Sequence, residues 1–168
     1  MELMTTISEL VPEHFELVAA WLSDPEINRW LTGEWRDKRA TSGLVAMMVR
    51  NKRNRVYLVH FQGKPCGLVA LADIDKVDKT AMVWYFLGEA TLARRGVTSD
   101  AVKSLASLSF QQLGLASIYA WAMEDNEPSK AVLQRVGFRE VGRIRQAASS
   151  RGRQVDRVYF DLVADELR

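Results

Sequence analysis

Three apolar runs follow one another closely in the middle of the chain: Arg55 to Phe61, Pro65 to Asp73 and Thr80 to Leu87. Runs of this length, rich in β-branched and aromatic residues and bounded by turn residues, read as strands. Gln62-Gly63-Lys64 joins the first two as a hairpin, so the three form an antiparallel meander. A loop from Gly88 to Gly96 follows. Val97, Ala101, Leu105 and Leu108 then recur at the spacing of one helix face, and Gly114 closes that helix after Leu113. The centre of the chain is therefore strand, loop, long helix.

The flanks continue the alternation. Met4 to Leu10 reads as a short strand, and Pro12 to Leu22 as a helix whose apolar face carries Phe15, Val18, Trp21 and Leu22. Asp24-Pro25 ends it, and further helical pieces are expected around Pro25 to Trp30 and Thr41 to Arg50. After the long helix come a strand from Ser117 to Ala122, a helix from Glu127 to Val136 stopped by Gly137, and a final hairpin of Arg139 to Ala147 with Val155 to Val163 across Ser149 to Arg153. The expected order is β-α-α-β-β-β-α-β-α-β-β, an α/β (α+β) chain. At 168 residues and 48% hydrophobic it predicts a single domain over 1–168 with one continuous core.

Charge and cysteine usage narrow the partners. A formal charge of +2 gives no general pull toward nucleic acid or an anionic membrane. The single cysteine, Cys66, excludes an internal disulfide and any multi-thiolate metal site. No window carries the ~18 apolar residues of a membrane span, and Met1 to Thr6 lacks the basic-then-apolar order of a signal peptide. The expected location is the cytoplasm.

Chemistry concentrates at two joins. In Ala93-Arg94-Arg95-Gly96-Val97-Thr98-Ser99, a glycine leads into a helix whose first N–H groups lack intrahelical partners and whose dipole favours an anion, a geometry suited to pyrophosphate. In Asn126-Glu127-Pro128-Ser129, Asn126 is a natural N-cap and Pro128 fits the first turn; Gly137-Phe138 follows where that helix ends. Read by itself, each join is equally an ordinary loop or cap.

Together they resemble the GNAT superfamily of N-acetyltransferases. Leu87 to Leu113 is similar to its acetyl-coenzyme-A pyrophosphate motif, and Asn126-Glu-Pro-Ser129 with Gly137-Phe138 to the motif that meets the pantetheine arm. Gly142 to Asp156 resembles the branch acetylating protein N-termini and its relatives acting on amino-sugar nucleotides. The loop departs from the family pattern in Ala93 and Thr98 and is about one residue longer, and Leu133 stands where many members carry a proton-donating tyrosine. The resemblance implies a mixed central sheet of about seven strands, acetyl-CoA as donor without a metal, and direct transfer to a primary amine through a tetrahedral oxyanion, with the cofactor leaving as a thiolate.

The site residues implied are the Leu87 backbone N–H as oxyanion donor, Ser129 as hydroxyl near the sulfur, and Leu87, Arg94, Arg95, Gly96, Val97, Thr98, Ser99, Asn126, Ser129 and Lys130 around the cofactor. Glu34, Asp73 and Glu89 are candidate bases. Trp30 and Trp35, set among charged residues, are acceptor-pocket candidates together with Asp73 and Trp84, while Trp21 and Trp121 read as core. His14 and His60 are too few for a metal. Six arginines between Arg139 and Arg157 favour an anionic acceptor over a polyamine. The acceptor is expected to be an amino-sugar nucleotide or similar small amine, alternatively a protein N-terminus; a non-catalytic coenzyme-A-binding module is the reading from another class. The final strands can pair across a two-fold into a homodimer.

Overall fold

The computed structural model describes residues 4–167. The chain runs β1 (Thr5–Glu9), a 3-10 turn (Pro12–His14), α1 (Phe15–Leu22), α2 (Pro25–Asn28), α3 (Ser42–Arg50), β2 (Arg55–Phe61), β3 (Lys64–Asp75), β4 (Thr80–Leu87), a 3-10 turn (Ala90–Leu92), α4 (Val97–Gln111), β5 (Ser117–Met123), α5 (Glu127–Val136), β6 (Arg139–Ser150) and β7 (Arg153–Val163), with a last 3-10 turn at Ala164–Glu166. The seven strands form one sheet in the order β1-β2-β3-β4-β5-β7-β6. Every neighbouring pair is antiparallel except β4 and β5.

Both faces of the central strands are covered, so residues of opposite parity enter different cores. Tyr57, Val59 and Phe61 of β2 and Val69 and Leu71 of β3 pack with Val97, Ala101, Leu105, Leu133 and Val136 from α4 and α5. The alternate residues Val56, Leu58, Leu68 and Ala70, with Phe86, pack with Val18, Trp21, Leu22 and Val45 from α1 and α3. The apolar continuity of these strands follows from that double burial. A third, small cluster of Met123, Ala148 and Val155 carries Trp30 and Trp121 against it.

The expected elements are present with shifted ends. The first helix is split: Pro12–His14 is a 3-10 turn and the α-helix starts at Phe15. The early helical region holds three pieces, α2 being one turn capped by Asp24, whose carboxylate accepts from the Glu26 N–H at 2.9 Å. The last hairpin is longer than expected. Arg151 and Gly152 both take positive φ, 49° and 75°, so a two-residue turn closes it and Ser150 pairs with Arg153.

The outer strand β6 is irregular, with register breaks between Glu140 and Gly142 and between Ile144 and Ala148. Asp156 pins the second: its carboxylate accepts from the Gln146 N–H and from Arg143, each at 3.0 Å. Those two bonds, the Gln146 N–H foremost, hold its carboxyl below the usual carboxylate range. Bulges of this kind blunt an exposed sheet edge.

Candidate active site

The parallel join of β4 to β5 extends over only three rungs, Thr80 to Met82 against Ser117 to Tyr119. Beyond them the strands separate and a cleft of about 1240 Å³ opens. Trp84 and Leu87 stand on one lip and Trp121 and Ala122 on the other, with the starts of α4 and α5 at one end and the Arg29–Trp35 segment at the other. Gly88 donates its N–H to the Cys66 carbonyl of β3 at 2.7 Å. Successive strand amides point to opposite edges, so the Leu87 N–H points away from β3, toward the separated side.

At the α4 end, Gly96 is the N-cap with φ 80°, a left-handed conformation that suits glycine, and no side chain caps the helix. The first intrahelical bond is Asp100 N–H to Gly96 carbonyl, and among the described residues the N–H groups of Val97, Thr98 and Ser99 have no acceptor. Uncapped amides at the positive end of a fifteen-residue helix form an anion site. Arg94 lines it. So does Arg135 of α5, whose guanidinium nitrogens stand 3.9 Å from where a Gly96 side chain would begin. The residues present therefore fit a diphosphate-bearing cofactor.

Two expected cofactor contacts are not brought to the cleft. Arg95 turns its guanidinium over the Phe61 ring, 5.1 Å from the centroid, on the far side of the loop. Lys130 is engaged by Glu127 and by the Glu124 carbonyl, both at 2.7 Å. Adjacency in sequence pointed to Arg95; the cation that reaches the loop, Arg135, lies on another helix.

At the start of α5, the Asn126 side chain accepts from the Ser129 N–H at 3.3 Å. The Ser129 hydroxyl lies 2.9 Å from the Tyr85 hydroxyl, which also lies 3.1 Å from the Ser129 carbonyl. Burial pushes the Tyr85 phenol well above its ordinary pKa, the bond to Ser129 offsetting part of it, so it stays protonated and remains a donor. When Tyr85 donates to the Ser129 Oγ, the serine's own hydrogen is free for the cleft. Leu133, at the position usual for tyrosine, is fully buried in the core. Tyr85 was not visible as a site residue because it sits in an apolar strand run, 44 residues from its partner.

The remaining candidates sort by exposure. Glu34 and Asp73 are exposed and line the cleft, Asp73 lying 3.8 Å from Arg53. Glu89 is exposed but does not line it. Trp35 lines the acceptor end while mostly buried; Trp30 and Trp84 are half-buried there. Trp121, expected in the core, instead lines the cleft, where β4 no longer pairs with β5 past Tyr119 and only β7 continues beside it. His14 and His60 meet edge to face at 6.5 Å, and among the described residues no group of three His, Cys, Asp or Glu is placed to hold a metal.

Cys66 is buried on β3, and desolvation, with Glu89 adding to it, pushes its thiol up to about 11. A thiol reagent near neutral pH is expected to leave it unmodified in the folded protein and to label it fully once denaturant is added, as read by mass spectrometry.

A family profile described as an acetyltransferase (GNAT) domain matches residues 5–139. The chain belongs to this family. Its mixed seven-stranded sheet is the GNAT fold. The putative ribosomal N-acetyltransferase YdaF of Bacillus subtilis is 30% identical over 106 residues, 63% of this chain and 57% of that protein, so the match spans little more than half of that relative. A spermidine N-acetyltransferase from Vibrio cholerae in complex with CoA and spermine aligns with a TM-score of 0.85 at 17% identity, covering 96% of each chain. RimL, a ribosomal alpha-N-protein acetyltransferase in complex with coenzyme A, aligns at 0.84 and 16%, covering 98% of this chain and 99% of its own. At these identities the two structures speak to the fold alone. No helix among the described residues is long and apolar enough to cross a membrane.

Proposed function

We propose that this GNAT protein transfers an acetyl group from acetyl-CoA directly to the primary amine of a small acceptor, such as an amino-sugar nucleotide, in the cytoplasm. The carrying observation is the separation of β4 and β5 between an uncapped α4 and a hydroxyl pair on β4 and α5. Bound acetyl-CoA supplies the acyl group as an activated thioester.

The chain's own groups then have separable tasks. The amides of Val97, Thr98 and Ser99, with Arg94 and Arg135, hold the diphosphate. The Leu87 N–H donates to the acyl oxygen as its charge grows. Ser129 Oγ holds the proton that passes to the departing sulfur, and Tyr85 keeps that hydroxyl oriented. Glu34 or Asp73, on the cleft wall, takes the amine's proton directly or through a water. Trp30, Trp35 and Trp84 shape the acceptor end.

A second reading, acetylation of a protein N-terminus, draws support from the match to YdaF, named for ribosomal N-acetylation, and from the exposed approach past Glu34. Nucleic acid and membrane have no place in either. A second copy would meet the outer strand β6 through the exposed side chains of Val141 and Ile144 rather than by continuing the sheet past its bulged edge.

Calorimetry with acetyl-CoA followed by thiol release over a panel of amines and short peptides tests this. Binding with turnover on amines is the expected result. Failure of acetyl-CoA to bind folded protein overturns the site, and turnover confined to peptide N-termini replaces the first reading by the second.

A further inference from the structure

Three arginines gather at the acceptor end of the cleft: Arg29 lines it, and Arg36 and Arg157 stand just behind its lining residues. Arg29 lies over Trp30, its guanidinium 4.1 Å from the ring centroid, and Arg157 lies over Trp121 at the same distance. The two indoles pack on one cluster, Met123, Ala148 and Val155, so the two arginines are carried to the same region from α2 and β7. Arg36 joins them, one nitrogen donating to the Leu31 carbonyl at 2.8 Å. Its ionisation is disfavoured first by burial and then by the charge of Arg157, with Asp37 opposing weakly.

Among the described residues, none of these three arginines has a carboxylate within ion-pair distance, whereas Arg139 and Arg143 of the same basic tail are paired with Glu166 and with Asp156 and Glu124. The Nε atoms of Arg29, Arg36 and Arg157 are all buried without a hydrogen-bond partner. Buried donors and like charges held together without an anion are costly, and structures retain them where a ligand completes them. The acids that line this end, Asp24, Glu26, Glu34 and Asp73, are exposed and suit the opposite charge, an ammonium.

We infer that Arg29, Arg36 and Arg157 form an oxyanion subsite, so that the acceptor is an amine bearing a carboxylate or phosphate and polyamines are poor substrates. Guanidinium forks bind either group in pairs of parallel hydrogen bonds. Seating over Trp30 and Trp121, 4.1 Å from each ring centroid, restricts where two of those forks can point. This subsite rests on the proposed transfer to an amine in the same cleft, but it can be tested without turnover.

The test uses matched pairs that share an amine and differ in the anion: glucosamine 6-phosphate against glucosamine, lysine against 1,5-diaminopentane, with spermidine alongside. In the wild-type protein, kcat/KM for at least one member bearing the anion is expected to exceed that of its partner lacking it by tenfold or more, with the phosphate and carboxylate pairs telling which oxyanion is preferred. Arg157→Met, which keeps the stem over Trp121, is expected to bring that ratio near one, and Arg157→Lys to restore part of it. Tryptophan fluorescence, titrated with glucosamine 6-phosphate under saturating coenzyme A so that Arg94 and Arg135 are covered, is expected to shift in the wild type and not in Arg36→Gln or Arg157→Met. A ratio of one or below for every pair, or a fluorescence shift that survives both substitutions, overturns the subsite. Loss of all turnover with the fluorescence result intact would overturn the transfer reading while leaving the subsite standing.

Discussion

Replacing Ser129 with alanine is expected to lower kcat on the order of 100-fold or more, with the affinity for acetyl-CoA nearly unchanged. General acid catalysis contributes about that much where a positioned proton donor serves the leaving group. The substitution is structurally mild for reasons visible in the site. The α5 cap is made by the backbone N–H of Ser129 to Asn126, which alanine keeps. The buried Tyr85 phenol retains the carbonyl of residue 129 as an acceptor at 3.1 Å, so no desolvated donor is stranded. Circular dichroism and the unfolding midpoint should therefore match the wild type. Tyr85→Phe should cost less, roughly tenfold in kcat, and the double variant should fall little below Ser129→Ala, since one proton is served by both groups. Full turnover in Ser129→Ala would remove the serine from the mechanism and leave it a cap residue.

The largest effect on folding is expected at Gly88. It follows β4 directly, and a Cβ built there would fall within the van der Waals envelope of Cε2, Cδ2 and Nε1 of Trp21. That indole cannot easily retreat: it is buried in the core under α1 and meets Phe86 edge to face, with centroids 6.1 Å apart. Overpacking of this kind costs about 3 kcal/mol, which for a domain of this size lowers Tm by roughly 10 °C. Because the collision begins at the first side-chain atom, Gly88→Ala should be nearly as damaging as Gly88→Val, unlike an ordinary glycine substitution in a loop. Trp21→Leu, which vacates the ring, should recover part of the loss in the Gly88→Ala background. Thermal unfolding of the three variants decides it; a Gly88→Ala protein as stable as the wild type would show that the indole moves freely.

The parts of this fold that were legible in the sequence are those where local chemistry decides. β2, β4 and α5 begin and end at the expected residues because periodicity and stop residues agree there. The last hairpin was placed but its turn was read too wide, because Arg151, unlike the glycine beside it, gives no local sign of a left-handed conformation. The cofactor loop was legible for a similar reason, since its helix start and its glycine are neighbours in the chain. What escaped was pairing across distance. Tyr85 looks like any aromatic of a buried strand until α5 brings Ser129 to it. Arg95 reads as a phosphate ligand, whereas Arg135, which nothing in the sequence singled out, is the cation that the packing of α5 brings to the loop. The grouping of Arg29, Arg36 and Arg157 joins residues from opposite ends of the chain, and no spacing rule could have assembled it.

The brevity of the parallel seam also bears on how the protein resists unfolding. Four strands lie on one side of it and three on the other, tied across the middle by three rungs and by helices above. Such a sheet behaves as two plates sharing a narrow weld, and any molecule that grips both lips acts as a second weld. Occupancy of the gap and rigidity of the whole body are then one property: the empty protein is the looser one, and its substrates tighten it by the same contacts through which they are held.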